Sequence, residues 1–266
     1  MSLGQQLQSF FTYDTILSRI AVFIIIMIVF VVLLHVGFGI ISLLTKPSSS
    51  PYLIKGMVNA EHQVVIQQNP NHKGAIPAIR SQNESKGIEL TWSVWINISD
   101  LQYGYGKYKH IFHKGNDGIQ FENGLNFPNN APGLYISPTT NSLVVIMNTF
   151  TTINEEIIIP DIPLNKWVNV IIRVEGNDLD VYINGTIVKR HHLSDVVKQN
   201  YGDVYVGMNG GFNGYISSLR YFSYAVQPGE IQSIINKGPN LTMAKNDSMT
   251  AVPPYLSLRW YFQGPS

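Results

Sequence analysis

The chain contains no cysteine, so neither a disulfide framework nor a cysteine-ligated metal centre holds it together. Charge is scarce as well: 13% of the residues are charged, and 18 basic residues stand against 17 acidic ones for a net charge of +1. No block of Lys and Arg is long enough to track a phosphate backbone, which argues against a nucleic-acid partner. Long amphipathic helical segments are also missing, and with them the strand–helix alternation that builds a parallel α/β sheet. Cohesion must come from apolar burial. At 266 residues, 45% of them hydrophobic, the chain has material for one ordinary domain plus an anchor.

The anchor is the uncharged apolar run from Ile20 to Leu44, with Phe30 near its middle. At about 1.5 Å per residue the run makes a helix of about 37 Å, enough to cross a hydrocarbon core of about 30 Å with some tilt. A cleaved signal would have a shorter apolar region ending at small residues, whereas this run continues into TKPSSSPY. One crossing of a lipid bilayer is therefore expected. His35, Gly37 and Gly39 interrupt the span. A single helix encloses no proton path, so His35 reads as a helix residue satisfied locally, and the G-x-G spacing is not that of a packed helix dimer. Arg19 and the N-terminal amine on one side nearly balance Lys46 and Lys55 on the other, which leaves the sidedness of the large domain open.

Residues 1–19 read as a short polar arm, 20–44 as the span, 45–61 as a Pro- and Ser-containing linker, 62–240 as the folded domain and 241–266 as an extension. HQVVIQQ at 62–68 is the expected first strand. IELTWSVWINI then alternates, with Leu90, Trp92, Val94 and Ile96 on one face. HIFHKG, GLYIS, SLVVIMNTF, KWVNVIIRVEG, LDVYING, TIVKRHHL, DVYVGM and GYISSLRYF follow at short intervals, separated by turn residues. This spacing predicts an all-β antiparallel sandwich. Asn184-Gly185 supplies a two-residue type I′ hairpin, which sets Ile183 opposite Thr186, Tyr182 opposite Ile187, Val181 opposite Val188 and Asp180 opposite Lys189. Pro228 and Gly238 bracket a short helix carrying Ile231, Ile234 and Ile235 as one stripe. YLSLRWYFQG alternates again and is expected to close the domain against its first strand. Sequons at Asn83, Asn97, Asn184, Asn240 and Asn246 conflict with the missing cysteines as signs of a luminal domain, and Asn184 has its turn to explain it.

Few residues advertise chemistry. LQYGYGKYKH sets Tyr103, Tyr105 and Tyr108 among glycines and lysines, and MNGGFNG places Phe212 on a Gly-rich loop. Exposed rings of this kind stack on sugars or anchor protein contacts, so these four are the candidate contacts to a carbohydrate or a protein. His110 and His113 lie three apart on a strand, on opposite faces, and with His191 and His192 they read as polar surface residues rather than converging zinc ligands. Glu155 and Glu156, as strand neighbours, also point apart. No catalytic residue is assigned.

LTWSVWINI, HIFHKG, PLNKWVNVIIRVEGNDLDVYINGTIV and GFNGYISSLRYFSYAVQPGEIQSIINKGP, taken in order, resemble the laminin-G-like members of the concanavalin A-like lectin/glucanase superfamily. The resemblance covers about residues 88–240. Its most specific parts are the Trp167 strand with the LDVYING hairpin, and the block from Gly214 to Ile231. It implies a jelly-roll sandwich of two antiparallel sheets. Superfamily glucanases resemble one another in an E-x-D-x-x-E strand that this chain lacks, so the resemblance implies a non-enzymatic member. Calcium bound at the rim of some such domains makes Asn116 and Asp117 in KGNDG the candidate ligands, although NDG is also a turn signal; no other cofactor is implied. The wording of the blocks behind a single anchor is similar to versions encoded by large double-stranded DNA viruses. That likeness implies a minor component of the virion, in its internal membrane, linking the bilayer to neighbouring coat proteins, and the alternative it leaves is a surface lectin.

Overall fold

The computed structural model describes residues 16–45, 47–118 and 122–244. Two compact units divide at Pro47 and Ser48. The first contains helix α1, Ile16–Thr45, which begins four residues before the expected run. Its segment Ile16–Ser42 is long and apolar enough to cross a membrane, and none of its most apolar window is buried. His35 Nδ1 donates to Val31 O, 3.0 Å away and one turn back, so the residue is satisfied within its own helix as expected.

The second unit is two antiparallel six-stranded sheets. The strands are β1 Met57–Asn59, β2 Val64–Ile66, β3 Glu89–Ile98, β4 Lys109–Gly115, β5 Gly133–Ile136, β6 Ser142–Met147, β7 Glu155–Pro160, β8 Trp167–Glu175, β9 Asp178–Ile183, β10 Thr186–His192, β11 Asp203–Val206 and β12 Gly214–Phe222. One sheet runs β1-β12-β3-β8-β9-β10 and the other β2-β11-β4-β5-β6-β7. β1 precedes the first strand read from the sequence, and β7 carries the adjacent acids Glu155 and Glu156 on a segment, EEIIIP, whose acids and Pro are poor strand signals. The alternating YLSLRWYFQG segment lies outside the described residues.

Alternation builds the core. Leu90, Trp92, Val94 and Ile96 of β3 are all buried and belong to the main hydrophobic cluster. Trp92 stacks on Phe112 of the facing sheet at 5.4 Å and tilts against Tyr221 at 5.0 Å. The other face of β3 is covered too. Thr91 Oγ1 donates to Tyr224 O, and the Glu89 carboxylate accepts from Ala225 N, so the segment after β12 seals this face with hydrogen bonds. Helix α2, Pro228–Lys237, then lays its stripe on the sheet. Buried Ile231, with Ile234 and Ile235 beside it, packs against Ile171, Phe222 and Val226.

The hairpin follows the predicted turn. Asn184 and Gly185 both have positive φ, 50° and 82°, and Thr186 faces Ile183 as expected. Beyond Ile187 the register shifts, so Lys189 faces Val181 and Arg190 faces Asp180. This corrects the expected Asp180–Lys189 pair. A bulge adds one residue to the outer strand, and the buried Asp180 carboxylate is instead held by Arg190 Nε at 2.6 Å and Nη2 at 2.9 Å, with Arg173 at 3.4 Å.

Candidate functional site

The tyrosine-rich connection between β3 and β4 is built on Asp100, whose carboxylate accepts from the backbone N–H groups of Gln102 and Tyr103. The three tyrosines do different things. Tyr103 donates its hydroxyl to Gly210 O at 3.0 Å and so braces the Gly-rich loop. Tyr108 packs edge-on against Tyr135 at 6.1 Å and sits 3.5 Å from Glu156 Oε1. Burial, then Glu156, raises its pKa. Tyr105 alone is largely free, 61% exposed.

Phe212 is fully buried in the main core, which corrects the expectation of an exposed ring. Gly207, Gly210 and Gly211 all take positive φ, and this backbone freedom turns the loop inward so that the one large side chain fills the sandwich. At Gly211 a Cβ would collide with the carbonyl of Ala60. The glycines therefore serve the fold, and the ring is not a contact surface.

His110 and His113 are also corrected: both are buried and they meet, Nε2 to Nδ1, at 2.6 Å. A register shift between His110 and Phe112 against β5 brings i and i+3 to one face. The chain of bonds assigns the protons. Met208 N donates to His110 Nδ1, so His110 carries its proton on Nε2 and gives it to His113 Nδ1. His113 then holds its proton on Nε2 and donates to Asn116 O at 2.7 Å. Every nitrogen is used with both rings neutral, and burial first of all lowers both pKa values, that of His113 to about 4 and that of His110 well below the usual 6.5. The pair connects the Gly-rich loop to the KGNDG turn.

At that turn the Asn116 amide is already engaged, accepting from Asn129 N and donating to Phe127 O. Asp117 is exposed. Among the described residues no three His, Cys, Asp or Glu side chains converge to hold a metal, and the expected rim ligands are reduced to one free carboxylate. His191 and His192 bond to Glu155 and Asp178 at 2.7 and 2.8 Å.

The sequence did not mark which apolar side chains near the two outer strands stay exposed. β7 and β10 are the outer strands of their sheets, and the bond from His191 to Glu155 joins them. Ile158 on β7, Ile187 and Val188 on β10, and Phe150 and Ile153 before β7 are all exposed. Phe150, at 67%, is the most exposed of these.

A laminin-G-type profile of the concanavalin A-like lectin/glucanases superfamily matches residues 72–232. The chain belongs to this superfamily. Solved structures of similar fold include the binding domain of Paraclostridial Mosquitocidal Protein 1, at 14% identity and TM-score 0.49, covering 72% of this chain and 46% of that one. The receptor binding domain of botulinum neurotoxin D matches at 15% and 0.49, covering 71% and 43%. The binding domain of botulinum neurotoxin DC, solved in complex with rat synaptotagmin II, matches at 15% and 0.43, covering 56% and 35%. The chain thus spans less than half the length of each, and at this level the likeness concerns the fold alone. No curated protein matches the chain.

In this concanavalin A-like domain the carboxylates of β7, β8 and β9 all have partners. Glu175 pairs with Arg173 and Lys86, Asp178 with His192, and Asp180 with two arginines. Glu155 faces His191 and Ser194, and Glu156 faces Tyr108. The family match is to a superfamily of lectin-type and glucanase domains and points to no particular enzymatic family.

Proposed function

We propose that the chain is a single-pass membrane protein whose laminin-G-like sandwich is a non-enzymatic binding and adaptor module. The observation that carries this reading is the contrast between the two units. α1 exposes apolar side chains all round, from Ile20 through Ile41, a surface that only lipid covers at low cost. The sandwich closes a core of its own. The helix fixes a position in the bilayer, and the β7/β10 edge with Phe150 and Ile158 offers a neighbouring protein an apolar contact. Following the sequence resemblance, the setting is the internal membrane of a large DNA virus, with coat proteins as the partners.

A photo-crosslinking residue at Phe150 or Ile158, in intact membranes or particles, tests the adaptor role. Crosslinks from these positions to one discrete neighbour, absent from a control at exposed Lys73, support it. Labelling no different from the control counts against it. The second reading is a surface lectin, favoured by the lectin-type family match and by exposed Tyr105. Glycan-array binding by the full chain in lipid nanodiscs, with and without calcium, and lost in Tyr105→Ala, would favour it.

A further inference from the structure

Residues of both sheets and two loops enclose a cavity of about 270 Å³ that lies apart from the tyrosine loop and the β7/β10 edge. It is larger than the roughly 150 Å³ that holds benzene in an apolar core and close to the roughly 300 Å³ at which small-molecule sites begin. Its inner wall is apolar: Leu90 and Trp92 of β3, Ala131, and the ring of Tyr221 on β12. Trp92 is 1% exposed, yet its indole N–H has no acceptor among the described residues. A buried donor of this kind normally has a partner.

Two other polar side chains of the wall are consumed in holding it. The Gln68 amide donates to Ile66 O and Ile76 O and accepts from Ala78 N. The Tyr221 hydroxyl donates to Ile79 O at 2.6 Å. These bonds fasten the 76–79 segment as one side of the cavity and leave these groups committed to the protein.

Charge completes the chemistry. Lys114 and Arg80 line the cavity, and no carboxylate does. Lys114 Nζ donates to Gly202 O at 2.6 Å, which uses one of its three hydrogens. Arg80 donates from Nε to Gln199, which leaves the outer guanidinium nitrogens available. Burial lowers the Lys114 pKa to about 8 against the opposing pull of the nearby Asp203 carboxylate, whose Oδ1 is already taken by Gln68 N, so the ammonium is still the main form near neutrality.

We propose that this cavity binds a small carboxylate with an apolar body, the body against Leu90, Trp92 and Tyr221 and the carboxylate held by Lys114 and Arg80. The unsatisfied indole favours a body with an acceptor of its own, such as a keto oxygen. This inference is independent of the anchor and of the adaptor role.

The test uses the full chain in lipid nanodiscs and titrates 3-benzoylpropanoate by calorimetry and by the shift of the Trp92 indole N–H resonance. Saturable binding is expected, with 4-phenylbutan-1-ol at least tenfold weaker, and with Lys114→Met and Arg80→Gln each weakening the acid severalfold or more. Ala78→Phe, which reduces the cavity volume, is expected to abolish binding. Should Lys114→Met fail to fold, Arg80→Gln at the exposed rim decides. An absent indole shift, equal affinity for acid and alcohol, unchanged affinity in Arg80→Gln, or displacement of the acid by a neutral saccharide such as lactose would each overturn the proposal.

Discussion

Acidification from pH 7 to pH 5 should destabilise the sandwich through His110 and His113 before it affects any carboxylate. In the folded state both rings are neutral because each nitrogen is committed: protonating His110 would turn the acceptor of Met208 N–H into a donor, and protonating His113 would set two donors face to face. Unfolded, each ring titrates near 6.5. Below that value the unfolded state takes up protons that the folded state refuses, so stability falls with pH until the folded pKa is reached. With the His113 pKa lowered to about 4, the loss between pH 7 and pH 5 is about 2 kcal/mol at about 1.4 kcal/mol per unit. His110, which burial also holds well below the usual value, acts in the same direction in the same window. The depressed carboxylates Glu155, Glu175 and Asp178 run the same way but act lower: their stabilisation is complete above the unfolded values near 4 and is lost only as pH falls through the folded ones. Urea midpoints followed by tryptophan fluorescence at pH 7, 6 and 5 measure the slope, and His113→Gln should remove the His113 share of about 2 kcal/mol. A stability that stays flat between pH 7 and pH 5, or a slope unchanged in His113→Gln, would refute the proton assignment.

Three further outcomes follow from the packing. Asp180→Ala should cost about 1–3 kcal/mol, because it removes the buried carboxylate shared by Arg190 and the nearly buried Arg173, which keeps Glu175 and Val226 O, while Lys189→Ala, displaced by the bulge, should change stability by no more than about 0.5 kcal/mol in the same urea assay. Phe212→Ala should cost about 3–5 kcal/mol by opening the core, whereas Tyr105→Ala should leave the midpoint within about 0.5 kcal/mol. Ile231→Ala should cost about 2–4 kcal/mol and raise amide exchange in α2 more than in β3.

The sequence carried the architecture because its signals were of the kind that tertiary context rarely overrides. Period-two alternation in β3, Asn184-Gly185 with its positive φ values, and Pro228 and Gly238 around an isoleucine stripe each have one structural solution. The site-level readings failed where one residue of slippage mattered. A bulge near Ile111 reversed the relation of His110 to His113, and another near Val188 replaced Lys189 by Arg190 as the partner of Asp180; bulges leave little trace in composition. Phe212 misled because glycines around an aromatic suit an exposed loop and an inward turn equally well. The cavity was illegible for a different reason: it gathers residues from distant strands, and only the strand order brings them together.

The central claim, that α1 anchors a binding domain to a bilayer, is tested most directly by alkaline carbonate extraction of membranes carrying the full chain, followed by mild trypsin treatment. The account predicts that the protein stays with the membrane pellet at high pH and that cleavage in the segment after α1 releases the sandwich into the supernatant. Release of the intact chain by carbonate alone would contradict it.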